Sequence, residues 1–359
     1  MTSEPAPSPT PAYRFTQELF IGGSPKSGTT LLLALLDNHP ELVVFPVEIA
    51  LFNETLSRLK DPTLAAITDY TLAHSEVTYM ARSARPGADA TPEQRVDFSQ
   101  FDFAAFERAL KQYRYPGDNA CQQLLRNLGL AYAETRQPPV APGDYTLVEK
   151  TPANDYNSDK LFEHFPEAKL LHIVRDPRAV FASRRRRFIK GGGKYSKAFR
   201  LLNEWNRSAW QVTRYQDQPE RFLSIRYEDL VSDASAVMRR VADFLGIAYT
   251  DTLERPSRNG DSWEGNSSYD SRFGGISSDQ LDRWRGELSL GEIWWVEQHC
   301  GKLMRACGYD LDNPEAPDAL HLGRWLKPLP GESFSGYLRA RRGSLGARFN
   351  PEKYWRPDR

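Results

Sequence analysis

One short stretch combines small residues, hydroxyls and a lysine: Gly22-Gly23-Ser24-Pro25-Lys26-Ser27-Gly28-Thr29-Thr30. It follows an apolar run that reads as a buried strand, Leu19–Gly22, and precedes one that reads as a helix, Thr29–Asp37. Free N–H groups at a helix start, together with the positive end of its dipole, bind anions. The hydroxyls of Ser27, Thr29 and Thr30 add donors. A nucleoside-triphosphate loop requires Gly, four residues, Gly, Lys, then Ser or Thr. Gly23 and Gly28 keep that spacing, but Thr29 stands where the lysine belongs, and the lysine sits inside the loop as Lys26. From there it is expected to lie across a terminal phosphate ester rather than along β- and γ-phosphates.

Two further segments carry fixed positive charge. His172-Ile173-Val174-Arg175-Asp176-Pro177-Arg178 closes the apolar run Lys169–Val174, and Ser183 follows on a helix expected over Pro177–Arg187. Glu149-Lys150-Thr151-Pro152 closes another strand, Tyr145–Val148. Ligands of open α/β sheets bind beyond the carboxyl ends of the strands. Arg175 is therefore placed to offer its planar fork to a phosphate, and Lys150 reaches the same edge.

The elements that would position these residues alternate. Leu42–Phe45 reads as a second strand and Arg221–Arg226 as a further one. Ser232–Leu245 reads as a helix closed by Gly246, and Leu281–Cys307 as a helix ending before Gly308. Continuous apolar strands alternating with helices imply a doubly wound parallel sheet. The fold class is thus α/β, P-loop-like, flanked by helices and carrying an inserted helical cap. The expected organisation is a disordered leader over 1–14, a main domain over 15–310 with the cap at about 53–142, and a basic extension over 311–359. Within that extension His321–Arg359 holds nine Lys or Arg against three Asp or Glu, a local charge of +6.

Bulk properties narrow the class. The 359 residues include 47 Lys+Arg and 47 Asp+Glu, so the net charge is zero and nothing in it argues for nucleic acid or a membrane surface. No apolar run reaches membrane-spanning length, and the Pro- and Ser-rich start lacks the form of a signal peptide. The three cysteines, Cys121, Cys300 and Cys307, show no disulfide or metal-ligand spacing, which suggests reduced thiols in the cytoplasm and no metal site.

Pro25-Lys26-Ser27-Gly28-Thr29-Thr30, continuing Leu-Leu-Leu-Ala-Leu-Leu-Asp-Asn-His-Pro, resembles the 5′-phosphosulfate loop and first helix of the sulfotransferases. The likeness is strongest to the branch of tyrosylprotein sulfotransferases and bacterial relatives, and Glu149-Lys150-Thr151-Pro152 resembles a segment of the carbohydrate sulfotransferases. It covers Leu19–Leu51 and Tyr145–Leu245 well and Asn266–Tyr309 more loosely. The resemblance implies 3′-phosphoadenosine 5′-phosphosulfate as sulfuryl donor, held by Ser24, Pro25, Lys26, Ser27, Gly28, Thr29 and Thr30. It further implies Arg175 and Ser183 on the 3′-phosphate, Arg187 as a further basic contact, and Tyr227, Ser267 and Arg283 around the nucleotide. At Arg283 the family more often has lysine.

A sulfuryl group carries less charge than a phosphoryl group, which usually needs Mg²⁺. Lys26 and Lys150 can therefore stand in for a metal by neutralising charge that builds on the leaving oxygen. The acceptor, a hydroxyl or amine on a small molecule, carbohydrate, lipid or peptide, needs a base. His39 beside Pro40 reads as a capping residue and His172 as core. The related families place a catalytic glutamate near Glu48, with Glu41 and Glu54 as competitors; Glu228 and Asp229 read as caps of the following helix. The alternatives are a small-molecule kinase, whose lysine is missing at Thr29, and a nucleotide-binding protein with a degenerate site. The acceptor and the oligomeric state have no readable signature.

Overall fold

The computed structural model describes residues 13–60, 62–83, 98, 101–190, 196–263, 265, 276–279 and 281–313, the side chains of 186–190 and 196–199 excepted. Five strands form one parallel sheet: β1 Tyr13–Gly22, β2 Leu42–Val44, β3 Gly143–Lys150, β4 Lys169–Val174 and β5 Phe222–Arg226, in the order β2-β3-β1-β4-β5. After β1 the chain crosses to β2 on one side, and it later returns to β4 on the other. The exit of β1 is therefore the point where strand order reverses and a crevice opens. Register sets what lies beside that exit, since Ile21 pairs with Lys150 and Gly22 with His172.

The sheet buries both faces. Leu19 and Ile21 point to one core, with helix α1 (Thr29–Leu36) and helix α11 (Ala234–Leu245). Phe15 and Phe20 point to the other, with helix α6 (Ala120–Thr135). Gly129 lets α6 sit directly on the sheet, because a Cβ there would come within 2.6 Å of Leu147 and 3.0 Å of Phe15. A third cluster joins helix α8 (Pro177–Lys190), helix α9 (Ser196–Arg214) and helix α12 (Leu290–Ala306).

Between β2 and β3 the chain forms a π-helical turn, Leu51–Thr55, running into α2 (Leu56–Arg58). Helices α3 (Leu64–His74), α4 (Val77–Ser83), α5 (Phe103–Gln112) and α6 follow. Among the described residues no helix is long and apolar enough to cross a membrane. The leader up to residue 12, the Gly191-Gly192-Gly193 stretch and the basic stretch His321–Arg359 lie outside the described residues.

Two helices differ from the sequence reading. The expected Ser232–Leu245 helix starts two residues later, as α11, because the Asp233 side chain accepts from Ala236 N and caps it, and a further short helix, α10 (Tyr227–Ser232), precedes it. The expected Leu281–Cys307 helix divides at Ser289 for a similar reason. Ser289 and Glu292 form a reciprocal capping box, leaving Arg283–Gly286 as a separate 3-10 turn.

Candidate active site

The loop after β1 owes its shape to two close contacts and one left-handed residue. A Cβ on Gly23 would meet the Ile173 carbonyl at 2.4 Å, and one on Gly28, at φ 103°, would strike the Tyr227 ring at 2.5 Å. Lys26 takes a left-handed conformation, φ 75°, which lysine adopts at a steric cost. Gly28 is the N-cap of α1 and supplies no side-chain cap, so the first N–H groups of α1 face the loop. Ser24 and Ser27 are buried, and their Oγ atoms have no partner among the described residues. Thr29 is buried as well, while Pro25, Lys26, Gly28 and Thr30 reach the surface.

Arg175 leaves β4 beside this loop. Its guanidinium stacks on the Tyr227 ring at 4.2 Å and its Nη1 donates to the Lys26 carbonyl at 3.3 Å, while Nε is buried without a partner. Lys26, Gly28, Arg175 and Tyr227 thus form one contact group. Trp205 Nε1 donates to the Arg175 carbonyl at 2.7 Å and fixes the strand exit from behind. Glu228 and Asp229 do not cap the following helix, α11, whose cap is Asp233; Glu228 instead ties the strand exit to Tyr309. Its carboxylate accepts Asp176 N–H at 3.0 Å and the Tyr309 hydroxyl at 2.8 Å, and burial pushes its carboxyl up. Ser183 is buried on the second turn of α8, and Arg283 pairs with Glu287 at 3.2 Å within its 3-10 turn. Arg187 lies on α8 with its side chain outside the described set, and Ser267 lies outside the described residues.

The second half of the site is tied to the first by Gly23 N–H, which donates to the Pro152 carbonyl at 3.0 Å. Lys150 Nζ donates to Glu48 Oε1 in an ion pair; the lysine side chain is 7% exposed and the glutamate 28%. Glu48 stands in the segment leaving β2, just before Ala50, which has φ 55°, and the π-helical turn. Non-glycine left-handed residues and π-turns concentrate at functional sites. Here the conformation is held by the segment after β3. Glu149 Oε1 accepts Ile49 N–H at 3.2 Å, and Thr151 Oγ1 accepts Ala50 N–H at 3.1 Å while donating to Glu149 at 2.6 Å. Asn154 Nδ2 donates to the other Glu149 oxygen at 2.6 Å. Burial raises the Glu149 carboxyl, and these three donors pull it back. Glu149 is therefore a scaffold, and Lys150 pairs with Glu48 across the strands rather than with its neighbour. Glu41 is held by Ala248 N–H at 2.8 Å and Glu54 is exposed on the π-turn. His39 accepts Glu41 N–H at Nδ1, 3.2 Å, and its Nε2 lies 2.9 Å from the Ala248 carbonyl, a structural role.

Beneath the loop lies a buried polar set that the sequence did not reveal. Ser24 N–H donates to Ser208 Oγ at 2.9 Å, and Ser208 Oγ donates to Asp155. His172 reaches Ser208 through Nε2 at 3.0 Å and Ser224 through Nδ1 at 2.9 Å. Asp155, His172 and Ser208 are all buried. Removing one member of such a set leaves the others unsatisfied. Ser208→Ala is expected to lower unfolding stability by about 1–3 kcal/mol, read as a lower urea midpoint at unchanged m value. An unchanged midpoint would show that the loop does not depend on Ser208.

The comparisons with known proteins agree on one family. The model of the "Sulfotransferase family" matches residues 18–251. The chain is 27% identical over 182 residues to omega-hydroxy-beta-dihydromenaquinone-9 sulfotransferase of Mycobacterium tuberculosis, covering 47% of this chain and 43% of that protein. It is 27% identical over 338 residues to protein-tyrosine sulfotransferase 2 of Gallus gallus, covering 89% of this chain and 78% of that protein. Against carbohydrate sulfotransferase 2 of Mus musculus the identity is 26% over 192 residues, or 42% and 36% of the two chains. The chain thus spans less than half of the mycobacterial and mouse proteins. In fold it is similar to the sulfotransferase domain from the curacin biosynthetic pathway, with a TM-score of 0.51 and 22% identity over 83% of this chain and 99% of that one.

Proposed function

The chain belongs to the sulfotransferase family, and on that premise we propose that it transfers a sulfuryl group from 3′-phosphoadenosine 5′-phosphosulfate to a hydroxyl or amine acceptor without a metal. The observation that carries this is the Glu48–Lys150 ion pair tied, through Gly23 and Pro152, to a phosphate loop with its lysine inside it. The residues present fit the donor. Orphaned buried polar atoms on Ser24, Ser27 and Arg175 and the uncapped start of α1 supply hydrogen-bonding capacity, and Arg175 adds fixed positive charge. When bound, the donor supplies the sulfuryl group and leaves as 3′,5′-adenosine bisphosphate. Glu48 takes the acceptor's proton on a carboxylate oxygen. Lys26 and Lys150 hold the charge that builds on the nucleotide's leaving oxygen. As Lys150 turns toward that charge, its grip on Glu48 loosens and frees the carboxylate oxygen to take the proton.

No observation favours the kinase or the non-catalytic alternative. The names of the relatives point to lipid, peptide and carbohydrate acceptors, and the cap helices beside Glu48 support acceptor recognition there. The three buried, unbridged cysteines support a reducing, cytoplasmic location. The test is transfer from radiolabelled donor to a panel of sugars, quinols, phenols, amines and tyrosine peptides. Transfer to none of them, with ATP and Mg²⁺ consumed instead, would overturn the proposal.

Recognition at Arg175 gives a separate expectation. Adenosine 3′,5′-bisphosphate is expected to bind more tightly than adenosine 5′-phosphate. Arg175→Ala is expected to weaken the bisphosphate by about 1.5–3 kcal/mol, roughly ten- to more than a hundredfold in Kd. Calorimetry decides, and equal affinities in the wild type would remove Arg175 from the 3′-phosphate.

A further inference from the structure

Glu76 belongs to no motif. It stands at the entry to cap helix α4, where the N–H groups of Tyr79 and Met80 close on its carbonyl and the buried Val77 and Met80 anchor the turn. Its contacts lead away from the cap. Glu76 Oε2 accepts the N–H of Glu48 at 3.1 Å, and Glu76 N–H donates to the Glu48 carbonyl at 3.3 Å. These two bonds clamp the cap to the segment that carries the base.

The charges around the pair come from four elements. Glu48 leaves β2, Glu149 and Lys150 end β3, Arg258 lies on the short strand β6 (Ser257–Arg258), and Glu76 precedes α4. Burial first, and then the Glu48 charge, raise the Glu76 carboxyl; the Glu48 N–H, Lys150 and Arg258 act in the opposite direction. Arg258 is held in place by donating from Nη2 to the Pro46 carbonyl at 2.6 Å.

We propose that Glu76 is a positioning residue for sulfuryl transfer, fixing the backbone of Glu48 so that its carboxylate keeps one place against Lys150. The reason is geometric. The carboxylate and the N–H of Glu76 close a reciprocal pair of hydrogen bonds on the N–H and carbonyl of Glu48, and a base whose backbone is free to shift loses rate. The cap helix thereby acts on the chemistry through Glu48, without touching a reacting atom. This inference rests on the reading of Glu48 as the base.

Hydrogen exchange of the Glu48 amide and steady-state kinetics with an acceptor from the panel test this. Glu76→Gln retains a carbonyl oxygen for the Glu48 N–H and is expected to keep the slow exchange and most of kcat. Glu76→Ala removes that oxygen and is expected to speed the exchange by about tenfold or more and to lower kcat by about tenfold with KM little changed. Unchanged exchange in a folded Glu76→Ala protein overturns the clamp. Faster exchange in Glu76→Ala with kcat intact, or a Glu76→Gln variant as slow as Glu76→Ala, overturns the positioning role. If the exchange behaves as expected while Glu48→Gln transfers sulfate at the wild-type rate, the reading of Glu48 as base fails and the clamp on its backbone stands.

Discussion

Glu48→Gln is expected to lower kcat by roughly 10²–10⁴, the usual effect of removing a positioned general base. Glutamine keeps the size of the side chain and an oxygen that Lys150 can still donate to, but it cannot take a proton. Affinity for adenosine 3′,5′-bisphosphate is expected to change little, because the hydrogen bonds of Glu48 run to Lys150 and to the Glu76 clamp. Glu41→Gln and Glu54→Gln serve as controls. The first carboxylate is engaged by Ala248 N–H at 2.8 Å and the second is exposed, so both variants are expected to retain kcat. Steady-state kinetics with any acceptor found by the panel separates the outcomes. A rise in KM with kcat intact would make Glu48 an acceptor-binding residue. Equal collapse in a control would remove its special role.

The lysines form the second large expectation. Lys150→Ala and Lys26→Ala are each expected to cost about 10²–10³ in kcat and much less in product-nucleotide affinity. Their charge is matched mainly by charge that develops in the transition state. Lys150→Ala also strips the largely buried counter-charge from Glu48, so it is expected to be the costlier of the two. Both expectations assume chemistry without a metal. Activity that disappears with chelator and returns with Mg²⁺ would overturn that assumption.

The parts of the fold made by continuous apolar runs were legible. Lys169–Val174 has the same bounds in sequence and structure, because Leu170–Val174 is buried throughout and the charged Lys169 and Arg175 mark its two ends. β1 was read as Leu19–Gly22 but begins at Tyr13. Its first half pairs only with β3, and β4 joins from Leu19 onward. That half alternates Tyr13 and Phe15 with exposed Arg14 and Thr16, which hid it beside the apolar run. The capping box at Ser289 was present as Ser-x-x-Glu and passed unread inside a long helical pattern.

The site divides along the same line. Lys26, Lys150 and Arg175 were found because each follows a recognisable strand. Asp155 and Asn154 sit directly after the Glu-Lys-Thr-Pro segment, and only the fold shows that one supports the loop and the other the base segment. Ser208 and Glu76 have no local pattern at all. Their meaning comes from bonds to residues 184 and 28 positions away, which no window of sequence contains.

On the proposed mechanism the four residues Glu149-Lys150-Thr151-Pro152 reach both substrates. Lys150 serves the leaving group, Pro152 holds the phosphate loop, and Glu149 and Thr151 hold the backbone on either side of the base. Donor and acceptor are thus aligned against a single rigid jig, and the angle between attacking and departing atoms is set by one strand end rather than by two separate walls. A change of acceptor cannot be accommodated by reshaping that jig without spoiling donor alignment. The freedom to diversify lies across from it, in the helices between β2 and β3, which can be exchanged like the jaws of a vice while the anvil stays fixed.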